Sequence, residues 1–212
     1  MTYMTSIPIN TYRAASRKLL VSRQVAHATV LQAFAPTQKT VIGENRVLWR
    51  LDGSGKETAL LIVSPEAPSV EHIVEASGWS SAPDGGFQQV SCQPLLDSLS
   101  DDGTYHFSLA VNPVNTVTQS NKRVPIKEED LEEWIGAKLT GAGLKTNALS
   151  IDSYDIDTFK RGSSKVTLAI ARVHGSGRID DADALRAAMV GGIGRAKGYG
   201  CGLLTIDNKT SD

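Results

Sequence analysis

The octapeptide Thr104–Val111, TYHFSLAV, carries the clearest fold signal in the chain because apolar side chains occupy every second position. Successive side chains of a strand point to opposite faces of a sheet, so this alternation predicts a strand with one buried face. A helix is predicted after it over Glu128–Leu139, where apolar residues recur at three- and four-residue spacing. This strand and this helix are the first two predicted elements of the C-terminal half of the chain.

The remaining predicted elements give both halves of the chain the same order. The C-terminal half continues with elements at Ala148–Ile156, Lys165–Val173, Asp181–Val190 and Cys201–Ile206. The N-terminal half has elements at Tyr3–Asn10, Ser22–Ala35, Arg46–Leu51, Thr58–Val63, Pro68–Ala76 and Gly86–Cys92. Each half reads β-α-β-β-α-β, the ferredoxin-like arrangement. The sequence therefore predicts an α+β protein with two tandem ferredoxin-like domains, residues 1–96 and 103–212, joined by a polar linker within Pro94–Gly103.

The composition excludes several classes of protein. With 41% hydrophobic residues the chain can bury a core, and its formal net charge of −1 is not that of a protein that is basic throughout. Any nucleic-acid site must therefore be a local patch. No stretch approaches the ~20 apolar residues of a membrane span, and Met1–Asn10 lacks a signal-peptide pattern. The 2 cysteines and 4 histidines have no metal-ligand spacing, so we predict no metal, no cofactor and a reduced cytoplasmic setting.

The segment from Gly191 to Leu204, GGIGRAKGYGCGLL, is rich in glycine and carries Arg195 and Lys197. Glycine allows positive φ and close backbone approach, and exposed N–H groups beside cations can cradle a phosphate. The spacing fits neither a P-loop nor a Rossmann fingerprint, since Lys197 precedes Gly198 and the loop follows a helix instead of a strand. From the residues alone, a tight packed turn and a phosphate-binding loop remain equally open.

The same segment resembles the glycine-rich loop of CRISPR RNA-processing endoribonucleases of the type I-E family, CasE. The resemblance extends to Val47–Leu51, VLWRL, to Phe107–Pro113, FSLAVNP, and to Lys122–Pro125, KRVP. It implies two ferredoxin-like domains and an enzyme that cleaves CRISPR precursor RNA at its repeat hairpins without a metal. Attack by a ribose 2′-hydroxyl would leave a 2′,3′-cyclic phosphate, and the enzyme would stay bound to the hairpin beside other Cascade subunits.

His27 is the candidate catalytic residue. Histidine can accept or donate a proton near neutral pH because its unperturbed pKa is about 6.5. His27 shares a predicted helix face with Leu31 and Phe34, so the residues alone favour a packing role. The resemblance implies catalysis instead, because the family has its catalytic histidine in this first helix. Where the family commonly has tyrosine, three positions earlier, this chain has Gln24.

Because Gln24 replaces this tyrosine, the sequence does not identify the residue that would help His27 to orient the 2′-hydroxyl. The residues that could serve are Ser22, Arg23, Gln24 and Tyr199.

A basic hairpin tip, Phe159–Lys165, is a second candidate RNA contact. Most such tips are only solvated turns, but the resemblance implies docking on an RNA stem, which proteins recognise through shape and backbone contacts. Ser108 and Ala110 stand where the family commonly has arginine, so any contact made there by relatives is expected to be missing. The predicted RNA-binding residues are Arg23, Gln24, Lys122, Arg123, Lys160, Arg161, Lys165, Gly192, Gly194, Arg195, Lys197, Gly198, Tyr199 and Gly200.

Two other functions are alternatives to RNA cleavage for this sequence. A non-catalytic RNA-binding protein on the same scaffold is the alternative, although no strand carries the paired aromatic signature of an RNA-recognition module. A small-molecule enzyme that holds a nucleotide in the glycine-rich segment is disfavoured because both nucleotide motifs fail.

Overall fold

The computed structural model describes residues 1–35, 46–117, 122–161 and 164–207, and these form two compact units. The first unit comprises residues 1–98 together with 197–200, and the second comprises residues 99–196 and the chain from Cys201 onward. The predicted ranges, 1–96 and 103–212, assigned residues 197–200 to the second domain, whereas these four residues group with the first unit.

The first unit is a four-stranded antiparallel sheet with helices. Its strands are β1 Tyr3–Pro8, β2 Leu48–Asp52, β3 Ala59–Ser64 and β4 Gln88–Ser91. Its helices are α1 Ala14–Val21, α2 Arg23–Gln32, α3 Glu71–Ser77 and α4 Gln93–Ser98. The strand order is β2-β3-β1-β4. Trp49 of β2 and Val30 of α2 belong to the buried core of this unit, with Ile7 of β1 and Ile62 of β3. The predicted order of elements is therefore confirmed for this half.

Helix α2 begins at Arg23, directly after Ser22, the first residue of the predicted element. The Ser22 side-chain oxygen accepts a hydrogen bond from the Val25 N–H at 3.3 Å, which satisfies one of the donors at the helix start. The helix ends at Gln32, a few residues before the predicted end near Ala35.

Two helices of the first unit were not predicted. Helix α1 buries only Ser16 and Leu19, so its sequence has little apolar periodicity to detect. Helix α4 lies in the stretch that was predicted as a polar linker. There Leu96 is buried, and the Gln93 side chain donates to the Asp97 carboxylate at 2.8 Å. One buried side chain among polar neighbours is enough to order this turn, although it is too little to reveal a helix from sequence.

The second unit contains another four-stranded antiparallel sheet. Its strands are β5 Thr104–Val111, β8 Leu144–Arg161, β9 Ser164–Ile179 and β10 Leu204–Asp207, in the order β10-β5-β9-β8. Its helices are α5 Leu131–Thr140 and α6 Ala182–Gly191. The bounds of β5 match the prediction, and its four alternate apolar side chains, Tyr105, Phe107, Leu109 and Val111, are buried. The stretch around Lys122 was not predicted as a strand, yet β6 Val114–Val117 pairs with β7 Lys122–Pro125.

Strands β8 and β9 are longer than the predicted segments and form one long hairpin. Polar and glycine-rich ends concealed this length. Gly175, for example, pairs with Leu149, and a Cβ built on it would lie 2.1 Å from the Ala148 carbonyl oxygen, so only glycine allows the strands to approach there.

Several predicted end points differ from the structure by a few residues. Helix α3 begins at Glu71 and not at Pro68, and β10 begins at Leu204 and not at Cys201. The sequence also predicts a frayed tail over Asp207–Asp212, but Asp207 is the last residue of β10. Residues 208–212 lie outside the described residues. No helix in the described ranges is long and apolar enough to cross a membrane.

Candidate functional site

The turn formed by residues 197–200 lies within the first unit, where it packs on α2 and β2. Lys197–Tyr199 form a short 3-10 turn, and the Gly200 N–H donates to the Lys197 carbonyl at 3.3 Å. The glycine-rich segment thus brings a charged, glycine-containing turn to the helix that carries His27.

His27 lies with its imidazole against Gly198. The side chain is half-buried, and a Cβ built on Gly198 would lie 3.4 Å from His27 Cε1, 3.5 Å from Nε2 and 3.8 Å from Nδ1. These are ordinary van der Waals distances, so the methyl group of an alanine at position 198 would touch the imidazole ring without a clash. Access to this edge of the imidazole therefore depends on the absence of a side chain at position 198.

Arg23 contacts the same turn from one helical turn earlier. Its Nη1 donates to the Tyr199 carbonyl at 3.4 Å. Residues four apart lie on the same face of a helix, so Arg23 and His27 face the turn together. Of the residues that were open as partners of His27, Ser22 has its oxygen in the helix cap and Gln24 is exposed.

Gly200 closes the turn against the core of the first unit. Its φ is +79°, and a Cβ there would lie 2.8 Å from Cζ3 and 3.0 Å from Cη2 of Trp49. Trp49 is only 1% exposed, and its Nε1 has no hydrogen-bond partner among the described residues. Gly200 therefore serves close packing, the first of the two explanations considered for the glycines, and its N–H is engaged within the turn.

The turn carries a cation, Lys197, whose charge is influenced by Arg46. Burial, and then the positive charge of Arg46, lower the pKa of the Lys197 ammonium group below its usual value. In the part of the chain that the structure describes, no carboxylate lies within ion-pairing distance of Lys197 or Arg46. A lysine in the turn that approaches the half-buried His27 adds positive charge to this site, which favours an anion.

The remaining residues of the glycine-rich segment belong to the second unit. Gly192 caps α6, with its N–H donating to the Ala188 carbonyl at 2.8 Å. Gly194 and Arg195 are exposed, and positive φ values occur at Gly194, +72°, and at Ala196, +58°. The N–H of Gly192 therefore cannot donate to a phosphate in the predicted loop, because it already donates to the last turn of α6.

The basic pair Lys122 and Arg123 and the predicted basic hairpin tip also lie in the second unit. Arg123 is exposed on β7, where Lys122 pairs with Val117. At the end of the long hairpin, Lys160 pairs with Lys165 and Arg161 pairs with Ser164. The side chains of Lys122, Lys160, Arg161 and Lys165 lie outside what the structure describes.

The strand register shows which residues lie opposite Ser108 and Ala110, the two positions where the family commonly has arginine. Ser108 is the cross-strand neighbour of His174, and Ala110 is the neighbour of Arg172. Directly opposed residues share a face of the sheet, so β9 carries two basic side chains beside those positions.

Carboxylates of β8 already engage this basic pair. His174 Nδ1 lies 2.7 Å from Asp152, and Arg172 lies 3.7 Å from Asp155. These ion pairs have no signal in the sequence, because only the strand register brings their residues together.

Arg46 and Trp49 were also missed as residues of the candidate site. Arg46 lies two residues before β2, and Trp49 is the second residue of the strand. The sequence predicted a strand over Arg46–Leu51 but not its contact with residues 197–200. Among the described residues, no group of three or more His, Cys, Asp or Glu side chains could hold a metal ion.

Comparison with known proteins agrees with this description. The model of the family described as CRISPR associated protein matches residues 2–208. The CRISPR-associated endoribonuclease Cse3 of Thermus thermophilus is 24% identical over 217 residues, which cover 96% of this chain and 99% of that protein. The structure of Thermus thermophilus Cse3 bound to an RNA representing a pre-cleavage complex has a TM-score of 0.78 at 21% identity, covering 97% of this chain and 98% of that one.

A chain of a CRISPR RNA-guided surveillance complex in a pre-nicking state is similar as well, with a TM-score of 0.69 at 22% identity and coverage of 96% of this chain and 98% of that one. The fold is therefore the mixed α+β fold, built on antiparallel sheets, of these proteins. The chain belongs to the CRISPR-associated protein family, and the predicted relationship to its type I-E CasE members is confirmed.

Proposed function

We propose that this protein is an endoribonuclease that cleaves CRISPR precursor RNA within its repeats and needs no metal ion. The similarity to a relative named as an endoribonuclease and to an RNA-bound structure supports RNA cleavage as the activity. The observation that carries the proposal for this chain is the position of His27 against Gly198, in the turn that also contains Lys197. Phosphodiester transfer can use a side chain that exchanges protons and a cation that stabilises the charge on the phosphate.

The proposed scaffold is a pair of ferredoxin-like domains. Each sheet has the order in which the first strand lies between the third and the fourth, and each follows β-α-β-β-α-β along the chain apart from added elements. In this arrangement helix α2 follows the first strand, and the helix presents His27 to the turn at residues 197–200.

The proposed reaction begins with attack by a ribose 2′-oxygen on the adjacent phosphorus. The O2′–P bond forms and the P–O5′ bond breaks, which gives a 2′,3′-cyclic phosphate and a 5′-hydroxyl. One proton leaves the 2′-oxygen and one is delivered to the 5′-oxygen. His27 acts as the acid or the base in this exchange, and Lys197 stabilises the negative charge that develops on the phosphate oxygens.

The proposed partners are the repeat hairpin and other subunits of a Cascade complex. A neighbour in fold is part of a CRISPR RNA-guided surveillance complex, and the long β8–β9 hairpin ends in the basic residues Lys160, Arg161 and Lys165. Basic groups on a projecting hairpin fit the backbone of an RNA stem.

Incubation with the repeat RNA of its host in EDTA tests the proposal directly. We expect one cut per hairpin, with cyclic phosphate ends. A hairpin with a single 2′-deoxy nucleotide before the scissile phosphate should bind with unchanged affinity and remain intact, because the attacking hydroxyl is missing. Strict dependence on Mg²⁺, or cutting of the deoxy substrate, would contradict the mechanism. Tight binding with no cleavage of either RNA would instead indicate a non-catalytic RNA-binding protein.

A further inference from the structure

Arg23 and His27 lie on the same face of α2, and both reach the turn at residues 197–200. They are four residues apart, a spacing that places two side chains next to each other along a helix. The His27 ring faces the position that a side chain at Gly198 would occupy. Arg23 Nη1 donates a hydrogen bond at 3.4 Å to the carbonyl of the next residue, Tyr199. The arginine therefore fastens the turn to α2 beside the residue that His27 faces.

Packing on β2 holds the turn at its other end. Gly200 lies against the ring of Trp49, which is buried in the core of the first unit. Van der Waals contacts limit how closely two groups approach, but each is weak and has no preferred direction. A hydrogen bond from a charged donor is stronger and directional, and the half-buried position of Arg23 reduces competition from water. The bond from Arg23 is thus suited to set where the turn lies on α2.

We infer that Arg23 is a positioning residue for RNA cleavage, which holds the Tyr199 carbonyl and so keeps the turn in place against His27. The inference rests on the proposed function and gives a role to one of the residues that the sequence left open as partners of His27. Arg23 acts through the turn and not by contact with the RNA. Its hydrogen bond is long at 3.4 Å, and such bonds in an active site often tighten only when the substrate is bound.

Single-turnover cleavage at saturating protein tests the inference. We expect Arg23→Met to lower the rate by about 10- to 100-fold, because a displacement of about 1 Å near the reacting groups has an effect of that size. Arg23→Lys should restore part of the rate, since a charged donor is kept. Arg17→Met is the matched control, because Arg17 is an exposed arginine on the neighbouring helix α1. That variant should cleave like the unsubstituted protein.

Binding of the uncleavable 2′-deoxy hairpin across a salt series separates positioning from direct contact with the RNA. A positioning residue contributes to the rate and little to affinity, so Arg23→Met should leave both the affinity and its salt dependence nearly unchanged. Loss of a phosphate contact would instead flatten the slope of log affinity against log salt by roughly 0.7 to 0.9. A flattened slope would contradict the positioning role.

A double substitution tests whether Arg23 acts through the turn. The effect of Gly198→Ala depends on how closely the turn approaches the His27 ring. If Arg23→Met releases the turn, the two substitutions together should lower the rate by less than the product of their single effects. Effects that multiply would show that Arg23 acts by another route. Thermal melts of all variants provide the folding control.

NMR spectroscopy gives a readout that does not depend on cleavage. In the free protein, Arg23→Met should shift the ring resonances of His27 and the amide resonance of Gly198, because the turn moves relative to the ring. Arg17→Met should leave them in place. Unchanged resonances in Arg23→Met, or a normal cleavage rate, would overturn the inference. If the unsubstituted protein does not cut while Arg23→Met still shifts these resonances, the proposed enzyme fails and the positioning of the turn by Arg23 stands.

Discussion

The imidazole of His27 faces the position that a side chain at Gly198 would occupy, since a Cβ there would lie 3.4 Å from Cε1 and 3.5 Å from Nε2. The backbone of Gly198 is not in the left-handed region, so an alanine there is not strained. Gly198→Ala should therefore fold normally while its methyl group covers the Nε2 edge of the ring.

We expect Gly198→Ala to reduce cleavage by about 10- to 100-fold, because small displacements of reacting groups have effects of that size. Hairpin affinity, measured with the 2′-deoxy RNA, should change little. An alanine variant that cuts at the normal rate would show that this edge of His27 is not used in the reaction.

His27→Ala should abolish measurable cleavage, with a loss of about 10²–10⁴-fold for a general acid or base. Repeat affinity should be nearly unchanged, because proton transfer contributes to the transition state and not to binding of the ground state. The half-buried position means that alanine can also destabilise the unit by about 1–3 kcal/mol. A melting curve is therefore needed, and a folded variant that binds and still cuts would exclude His27 as catalytic.

Gly200→Ala should destabilise the first unit. The left-handed backbone at φ +79° costs a side-chain-bearing residue about 1–2 kcal/mol, and the methyl group would clash with buried Trp49. Overpacking adds about 1–3 kcal/mol. Denaturant unfolding measures the sum.

Gly191→Ala is the matched control for Gly200→Ala, because Gly191 ends α6 and a Cβ there meets nothing within 4 Å. It should be neutral or stabilising by about 0.5–1 kcal/mol. Equal stabilities of the two variants would contradict the packing role of Gly200.

Replacing Lys160 and Arg161 together by alanine should weaken hairpin binding and flatten its salt dependence. Each phosphate contact contributes roughly −0.7 to −0.9 to the slope of log affinity against log salt, because condensed counterions are released. Affinities measured across a salt series test this, with Lys56→Met as the control for an unrelated cation. A slope identical to that of the unsubstituted protein would mean that the hairpin tip is a solvated turn.

The sequence by itself determined the elements whose signals are local. The alternation over Thr104–Val111 places apolar side chains on one face whatever the rest of the chain does, and Ser22 can cap α2 because its oxygen is close to the helix start in sequence. These signals act over a few residues. The order of strands and helices along the chain, and the position of His27 on a helix, could therefore be predicted.

Tertiary structure alone decided what lies against His27. Gly198 is far from it in sequence, and only the packing of residues 197–200 on α2 and β2 brings the two together. The position of Gly200 over Trp49 follows from the same packing. No periodicity or spacing encodes such contacts, because they depend on which buried surfaces fit one another once the sheet has formed.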